Sequence, residues 1–244
     1  MKKSIGYFTF LVLIIALLFT SCVSNKKFTA SEARTDKLQK ENEMMQKENA
    51  LIQKNLMKLT SESKETIADQ AQRLNDLQDT INIQKETATR LKNSIGNALK
   101  NYKTDELTVY MKDGNVHVSL AEKLLFKSGS DVVDPKGKAA LKSLATVLNS
   151  SEDFTVAIEG HTDDVPIKTR VYTDNWDLST ARATSVVRIL TIDNGFDSDR
   201  ITASGKSHFH PLSVNTTTEG RADNRRTEVI LTPDLQEIYK LLYQ

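Results

Sequence analysis

The chain has 244 residues and a formal net charge of +1, which leaves room for one or two domains and gives no global field to draw it onto nucleic acid. Its single cysteine, Cys22, excludes an intramolecular disulfide. Charge is uneven along the chain: residues 1–104 hold 17 basic and 11 acidic side chains, residues 105–244 hold 16 and 21, so the C-terminal part is mildly acidic and a poor platform for a polyanion.

Lys2 and Lys3 open the chain, residues 5–20 run without a charge, and small Ser21 precedes Cys22. That order predicts a secretory signal peptide over residues 1–21. The segment Leu18-Phe19-Thr20-Ser21-Cys22 resembles a bacterial lipobox, in which the cysteine is lipidated and becomes the new N-terminus. The resemblance implies a lipidation site at Cys22, with palmitate among the acyl chains, and a short linker over 22–27. Val23 is not the Asp of the common inner-membrane retention signal, so the expected location is the outer membrane, lipid-anchored and facing the periplasm. The uncharged run is shorter than the ~20 residues of a bilayer-crossing helix, whereas several acyl chains anchor firmly.

From Lys26 to Ile95 there is neither Gly nor Pro, and the composition favours helix. Leu38, Met45, Ile52 and Leu59 repeat every seven residues, accompanied by Asn42, Asn49 and Leu56; a second series runs Ile67, Leu74, Ile81, Ala88 and Ile95, accompanied by Gln70, Leu77, Gln84, Leu91 and Ala98. This spacing predicts a coiled-coil stalk over residues 28–104 that makes the protein a homo-oligomer, a dimer or trimer. The step from Leu56 to Ile67 is a stutter that locally unwinds the supercoil. Fully helical, residues 28–100 would extend on the order of 110 Å at 1.5 Å per residue.

Residues 105–244 form the second predicted domain. Leu107, Val109 and Met111, a Lys112-Asp113-Gly114-Asn115 turn, then Val116, Val118 and Leu120 predict a β-hairpin. Asp134-Pro135 opens a helix, as N-cap and first helical residue, with Ala139, Leu141, Leu144, Val147 and Leu148 as its apolar face. Residues 154–159 read as a strand. A helix follows from Trp176 or Asp177 to Ile192, capped by Asn175 or Asp177, ended by Asn194-Gly195, and burying Val186, Val187, Ile189, Leu190 and Ile192. Strands over 200–205 and 226–231 and a terminal amphipathic helix over 233–244 complete a β-β-α-β-α-β-β-α order. The predicted class is α+β, a mixed sheet with helices packed on one face, preceded by the long helical coiled coil.

Four signals occur in order within this domain: Phe126-x-x-Gly129-Ser130, Gly160-His161-Thr162-Asp163, Asn175-x-x-Leu178-Ser179-x-x-Arg182-Ala183, and Gly220-Arg221-x-x-Asn224-Arg225-Arg226. Together they resemble the OmpA-like peptidoglycan-binding domain family over roughly residues 106–232. A carboxylate after a strand beside a guanidinium in a helix's first turns suits a zwitterion, the one pairing with an ammonium and the other gripping a carboxylate. The resemblance implies that Asp163 and Arg182 contact the diaminopimelate of a peptidoglycan stem peptide, that Thr162, Asn175 and Leu178 surround the same pocket, and that Asn224 and Arg225 flank it. It implies no cofactor and a non-catalytic anchor linking outer membrane to cell wall. The long loop between Thr162 and Asn175 is closer to the flagellar stator B version of the domain, which makes a stator-like or envelope-complex subunit the alternative; the absence of an acid in residues 5–20 disfavours a proton-relaying stator helix. Asp163-Asp164 as a general acid–base pair, and hence a cell-wall hydrolase, lacks a nucleophile placed nearby. His208-x-His210 alone makes a weak metal site, and no metal is expected.

Overall fold

The computed structural model describes residues 25–151 and 153–243. The signal peptide over 1–21, the lipidation site Cys22 and the first residues of the linker lie outside them. Among the described residues no helix is long and apolar enough to cross a membrane.

The fold opens with helix α1, Asn25–Ala98, uninterrupted through the predicted stutter. The chain divides into two compact units, Met1–Ala71 and Gln72–Gln244. In the described part of the first unit every residue is helical, and the heptad side chains Leu38, Met45, Ile52, Leu56 and Leu59 are exposed. Ion pairs one helical turn apart, Lys37–Glu41 and Lys58–Glu62, add their usual small support.

In the second unit the seam changes its use. Ile67, in the first unit, and Leu74 are exposed, but Ala88, Leu91 and Ile95 are buried in the unit's core with Leu99. The Gln84 amide donates to the Asp234 carbonyl at 2.9 Å. The last turns of α1 therefore spend their apolar stripe on the chain's own sheet and helices, so those heptad positions serve the domain core.

After α1 come β1 (Leu107–Lys112), β2 (Asn115–Ala121), a one-turn helix α2 (Glu122–Leu125), α3 (Pro135–Asn149) and β3 (Phe154–His161). Then follow α4 (Asn175–Arg188), β4 (Ile201–Gly205), α5 (Thr218–Asn224), β5 (Arg226–Pro233) and α6 (Gln236–Tyr243). The five strands form one mixed sheet ordered β1-β2-β5-β3-β4, antiparallel except for the β3–β4 pair. The Asp113-Gly114 turn is tight because both residues take positive φ, 51° and 80°, which suits the right-handed twist of the flanking strands. Val118 faces Val229, which faces Ile158; Val116 faces Leu231, which faces Val156. These rows sit on one face of the sheet, and all belong to the core that α1, α3 and α4 cover, as the α+β reading requires.

Local differences have physical causes. Asp134 takes the N-cap position and Pro135 follows it, but the Asp134 side chain makes no capping bond. The α3 face buries Ala140 and leaves Ala139 exposed. Helix α4 is capped by Asp174, whose carboxylate accepts from Trp176 and Asp177 N–H; Asn175, expected as a cap, is engaged elsewhere. A π turn, Ile189–Asp193, ends the helix and shifts the phase, so Ile192 is 76% exposed while Leu190 is buried. Gly195, at φ 69°, stops it as expected. The short helix α5 was not predicted.

Candidate functional site

The C-terminal ends of β3 and β4 meet the second turn of α4. A Cβ at Gly160 would strike the Ser179 carbonyl, and one at Gly205 would strike the Thr180 and Ser179 hydroxyls, so this approach needs glycine at both positions. The contact brings Thr162 and Asp163, just past β3, to the start of α4. Thr162 donates its backbone N–H to the Ser207 carbonyl at 2.9 Å and its hydroxyl to the Asp163 carbonyl. Asn175 locks the junction: its amide donates to the carbonyls of Asp163 and Val165 at 3.2 and 3.0 Å, and its oxygen accepts from Ile167 N–H at 3.2 Å. Leu178 is buried beside it, one turn on.

Asp163 and Arg182 come together through two intermediaries rather than directly. Asp163 accepts from Arg225 at 2.6 Å, Arg225 reaches Glu122 at 2.5 Å, and Glu122 reaches Arg182 at 2.5 Å. Two acids and two guanidinium groups thus form one neutral chain. Arg182 also donates to the Ser130 carbonyl at 2.9 Å and to Lys127 at 3.5 Å, and lies over the Phe126 ring at 5.0 Å. Its side chain is 3% exposed; that of Arg225 is 31% exposed. Arg225 is therefore the guanidinium within a ligand's reach. Burial works against its charge, but hydrogen bonds to Asp163 and Glu122 outweigh that and raise its pKa above the usual arginine value.

Glu122 is the residue that sequence reasoning missed. Nothing in its neighbourhood marks it except a lone acid just before the Leu124-Leu125-Phe126 run. The sheet places it: Ala121 pairs with Arg226, and Glu122 N–H donates to the Arg225 carbonyl at 2.9 Å. Asn224 lies one residue away but does other work. Fully buried, its side chain accepts from Leu212 and Ser213 N–H and donates to Ser213 and Asn215, pinning the loop before α5.

The loop 164–174 folds over the turn that holds Arg182. Ile167 approaches Gly129, which has φ 68°. Tyr172 is buried, and burial together with a hydrogen bond to Asp131 pushes its phenol up to about 12. Thr169 accepts from Val171 and Tyr172 N–H, and Asp177 accepts from Thr173 N–H at 2.7 Å. Asp164 stays exposed. On the other side, Glu122 and Arg225 form part of the wall of a cleft of about 470 Å³, with Thr108, Ser119, Leu212 and Asp223, a volume in the range of small-ligand sites.

Residues 125–225 match the OmpA family, and the chain carries an OmpA-family domain there. Among curated relatives, motility protein B of Bacillus subtilis (strain 168) is 28% identical over 149 residues, 61% of this chain and 57% of that protein. The probable lipoprotein YiaD of Escherichia coli (strain K12) is 33% identical over 127 residues, 52% of this chain and 56% of that one. The chain thus spans little more than half the length of these relatives. Among solved structures, the cell wall anchor of the T6SS from Pseudomonas aeruginosa superposes with a TM-score of 0.53 at 33% identity, over 57% of this chain and 97% of that one. None of these three is described as an enzyme.

Proposed function

We propose, from an OmpA-family domain that carries a neutral Asp163–Arg225–Glu122–Arg182 chain, that the protein is a non-catalytic cell-wall anchor that binds peptidoglycan through the diaminopimelate of the stem peptide. The observation that supports this reading most is the alternation of acid and guanidinium at the junction of β3 and α4. A zwitterionic amino-acid head exchanges into such a chain without leaving an unpaired charge. Its ammonium takes Asp163 in place of Arg225, and its carboxylate takes the fork of Arg225, with Arg182 held behind by Glu122 and the 127–130 turn. Arg182 thus contributes to carboxylate recognition mainly as the brace of that arrangement. Thr162, Asn175 and Leu178 fix the junction, and Asn224 holds the loop that precedes Arg225.

The N-terminal expectations complete the proposal. A signal peptide over 1–21 and a lipidated Cys22 tether the chain to the outer membrane, facing the periplasm, and exposed heptad positions of α1 pair between copies as a coiled-coil stalk. The likeness to a cell wall anchor and to a lipoprotein supports this. The likeness to motility protein B supports the second reading, a stator-like or envelope-complex subunit, which would use the same site.

The test is co-sedimentation of the purified protein with peptidoglycan sacculi, with and without free diaminopimelate. Binding that free diaminopimelate competes away, without release of soluble muropeptides, is expected. Binding indifferent to diaminopimelate would reject the stem-peptide site, and muropeptide release would return the hydrolase reading.

A further inference from the structure

The junction of β3, β4 and α4 also carries a group of aromatic rings that the proposed peptide site does not use. Trp176, the chain's one tryptophan, is 47% exposed, and Phe209 is 59% exposed. Their rings stack at 5.5 Å and 28°, and His208 stacks on Phe209 at 4.2 Å and 29°. Large aromatic faces left to solvent at a fixed spacing are unusual on a folded domain and mark interaction surfaces.

The backbone beneath them is held in place. Ser207, buried and at φ 50°, donates its N–H to the Ser179 hydroxyl at 3.1 Å, and its carbonyl accepts from Thr162. The Phe209 N–H donates to Lys206, and the Lys206 N–H to Gly160. The Trp176 N–H is fixed by the Asp174 carboxylate, and its carbonyl accepts from Ser179. A non-glycine residue in left-handed backbone persists only where its surroundings dictate it. The same bonds that anchor Thr162 beside Asp163 thus anchor the stack.

We propose that Trp176, at one end of the stack and backed by Phe209, forms a stacking platform for a pyranose ring of the peptidoglycan glycan strand. The inference rests on the stem-peptide reading of Asp163, because the glycan is covalently joined to that peptide and the platform is bonded into the same junction. The C–H face of a sugar ring is apolar and slightly positive, the complement of an aromatic face. The rings stack on one another rather than enclosing a slot, so the end face suits a flat ring better than a branched side chain. The mildly acidic domain argues against a nucleic-acid base as the occupant.

The platform contains its own reporter, since all tryptophan emission of the full chain comes from Trp176. The full chain in detergent is titrated with a diaminopimelate-containing tripeptide, with the same tripeptide on its N-acetylmuramyl disaccharide, and with peptide-free glycan strands. The sugar is expected to tighten binding about three- to ten-fold and to shift Trp176 emission to shorter wavelength. Phe209→Ala, and Trp176→Ala read by calorimetry, should abolish that gain and leave tripeptide affinity unchanged. A gain that survives both substitutions, or no gain in the parent, overturns the platform while the peptide site stands. Emission that shifts with protein concentration alone, a second copy covering the rings, also overturns it. If the tripeptide does not bind the parent at all, the stem-peptide reading fails on its own; peptide-free strands then decide the platform, upheld by a Trp176 shift and overturned without one.

Discussion

At the scale of single residues the two arginines of the site separate binding from stability. Arg182 is buried against Glu122, two carbonyls and the Phe126 ring. Removing it leaves a mostly buried acid short of a partner, and Arg182→Ala should cost on the order of 3 kcal/mol, seen as a melting point lower by roughly 6–12 °C. Arg225 is a third exposed, where ion pairs contribute about 1 kcal/mol or less. Arg225→Lys, which keeps a cation beside Asp163 and Glu122 but removes the fork, should therefore melt close to the parent. It should still lose roughly ten- to a hundred-fold in binding to sacculi, from a charge-assisted contact of about 1.5–3 kcal/mol. Asp163→Ala should lose a similar factor, and Asp164→Ala should lose little. Equal melting of the two arginine variants would contradict the geometry. The Thr-Asp and Leu-Ser-x-x-Arg motifs located both ends of the ion chain in the sequence. They could not reveal that Glu122 and Arg225 intervene, because Glu122 is brought there by strand pairing over more than a hundred residues.

His161 supplies a second residue-scale expectation. Both ring nitrogens are buried without a hydrogen-bond partner, and burial, followed by the charges of Arg226, His210 and Lys206, lowers its pKa from 6.5 to about 3. Between those values the unfolded chain binds a proton that the folded chain refuses. Stability from this group is therefore complete above about pH 6.5 and declines as pH falls toward 3. His161→Gln should flatten the fall in melting temperature between pH 6.5 and 5, before most carboxylates titrate. An unchanged slope would mean the imidazole is protonated in the fold.

Among the elements, α1 is where sequence periodicity and structure diverge most usefully. Seven-residue spacing reads the same whether the stripe meets another copy or the chain's own sheet, so the heptads could not show where one use ends. Gln84, bonded to Asp234, and Ala88, Leu91 and Ile95, buried in the core, mark the change. Two substitution pairs should therefore behave differently. Leu74→Asp with Ile81→Asp, both at exposed positions, should reduce sedimentation to a monomer and leave domain melting nearly intact. Leu91→Ala with Ile95→Ala should destabilise the domain itself by about 2–5 kcal/mol per residue. A fragment starting at residue 105 should melt well below one starting at 72. Elsewhere, the hairpin and α3 were legible because turn chemistry and helix period agree there. Helix α5 was not, since seven residues give too little periodicity and its one signal, the Thr217 hydroxyl on Gly220 N–H, also fits a plain turn.

For the molecule as a whole, the proposed anchor depends on two attachments that differ in chemistry, acyl chains at Cys22 and an ion-paired site around Asp163. Joined in one chain, each raises the effective concentration of the other at the layer it binds, so the two should fail separately and in distinguishable ways. Cys22→Ala should leave the outer-membrane fraction, keep its affinity for isolated sacculi, and show no incorporation of a palmitate analogue. Asp163→Ala should remain in the outer-membrane fraction, begin at Cys22 when the mature N-terminus is read by mass spectrometry, and no longer sediment with sacculi. The coiled-coil expectation adds a third arm. If α1 pairs copies, each assembly presents several wall sites, and Leu74→Asp with Ile81→Asp should weaken sacculus binding by more than ten-fold without altering the affinity for a soluble muropeptide, which engages one site at a time. Loss of muropeptide affinity in that variant would mean the stalk acts through the fold of the domain rather than through copy number. Intact Met1 on the mature protein would remove the lipid attachment altogether and leave a wall-binding domain whose membrane link lies elsewhere.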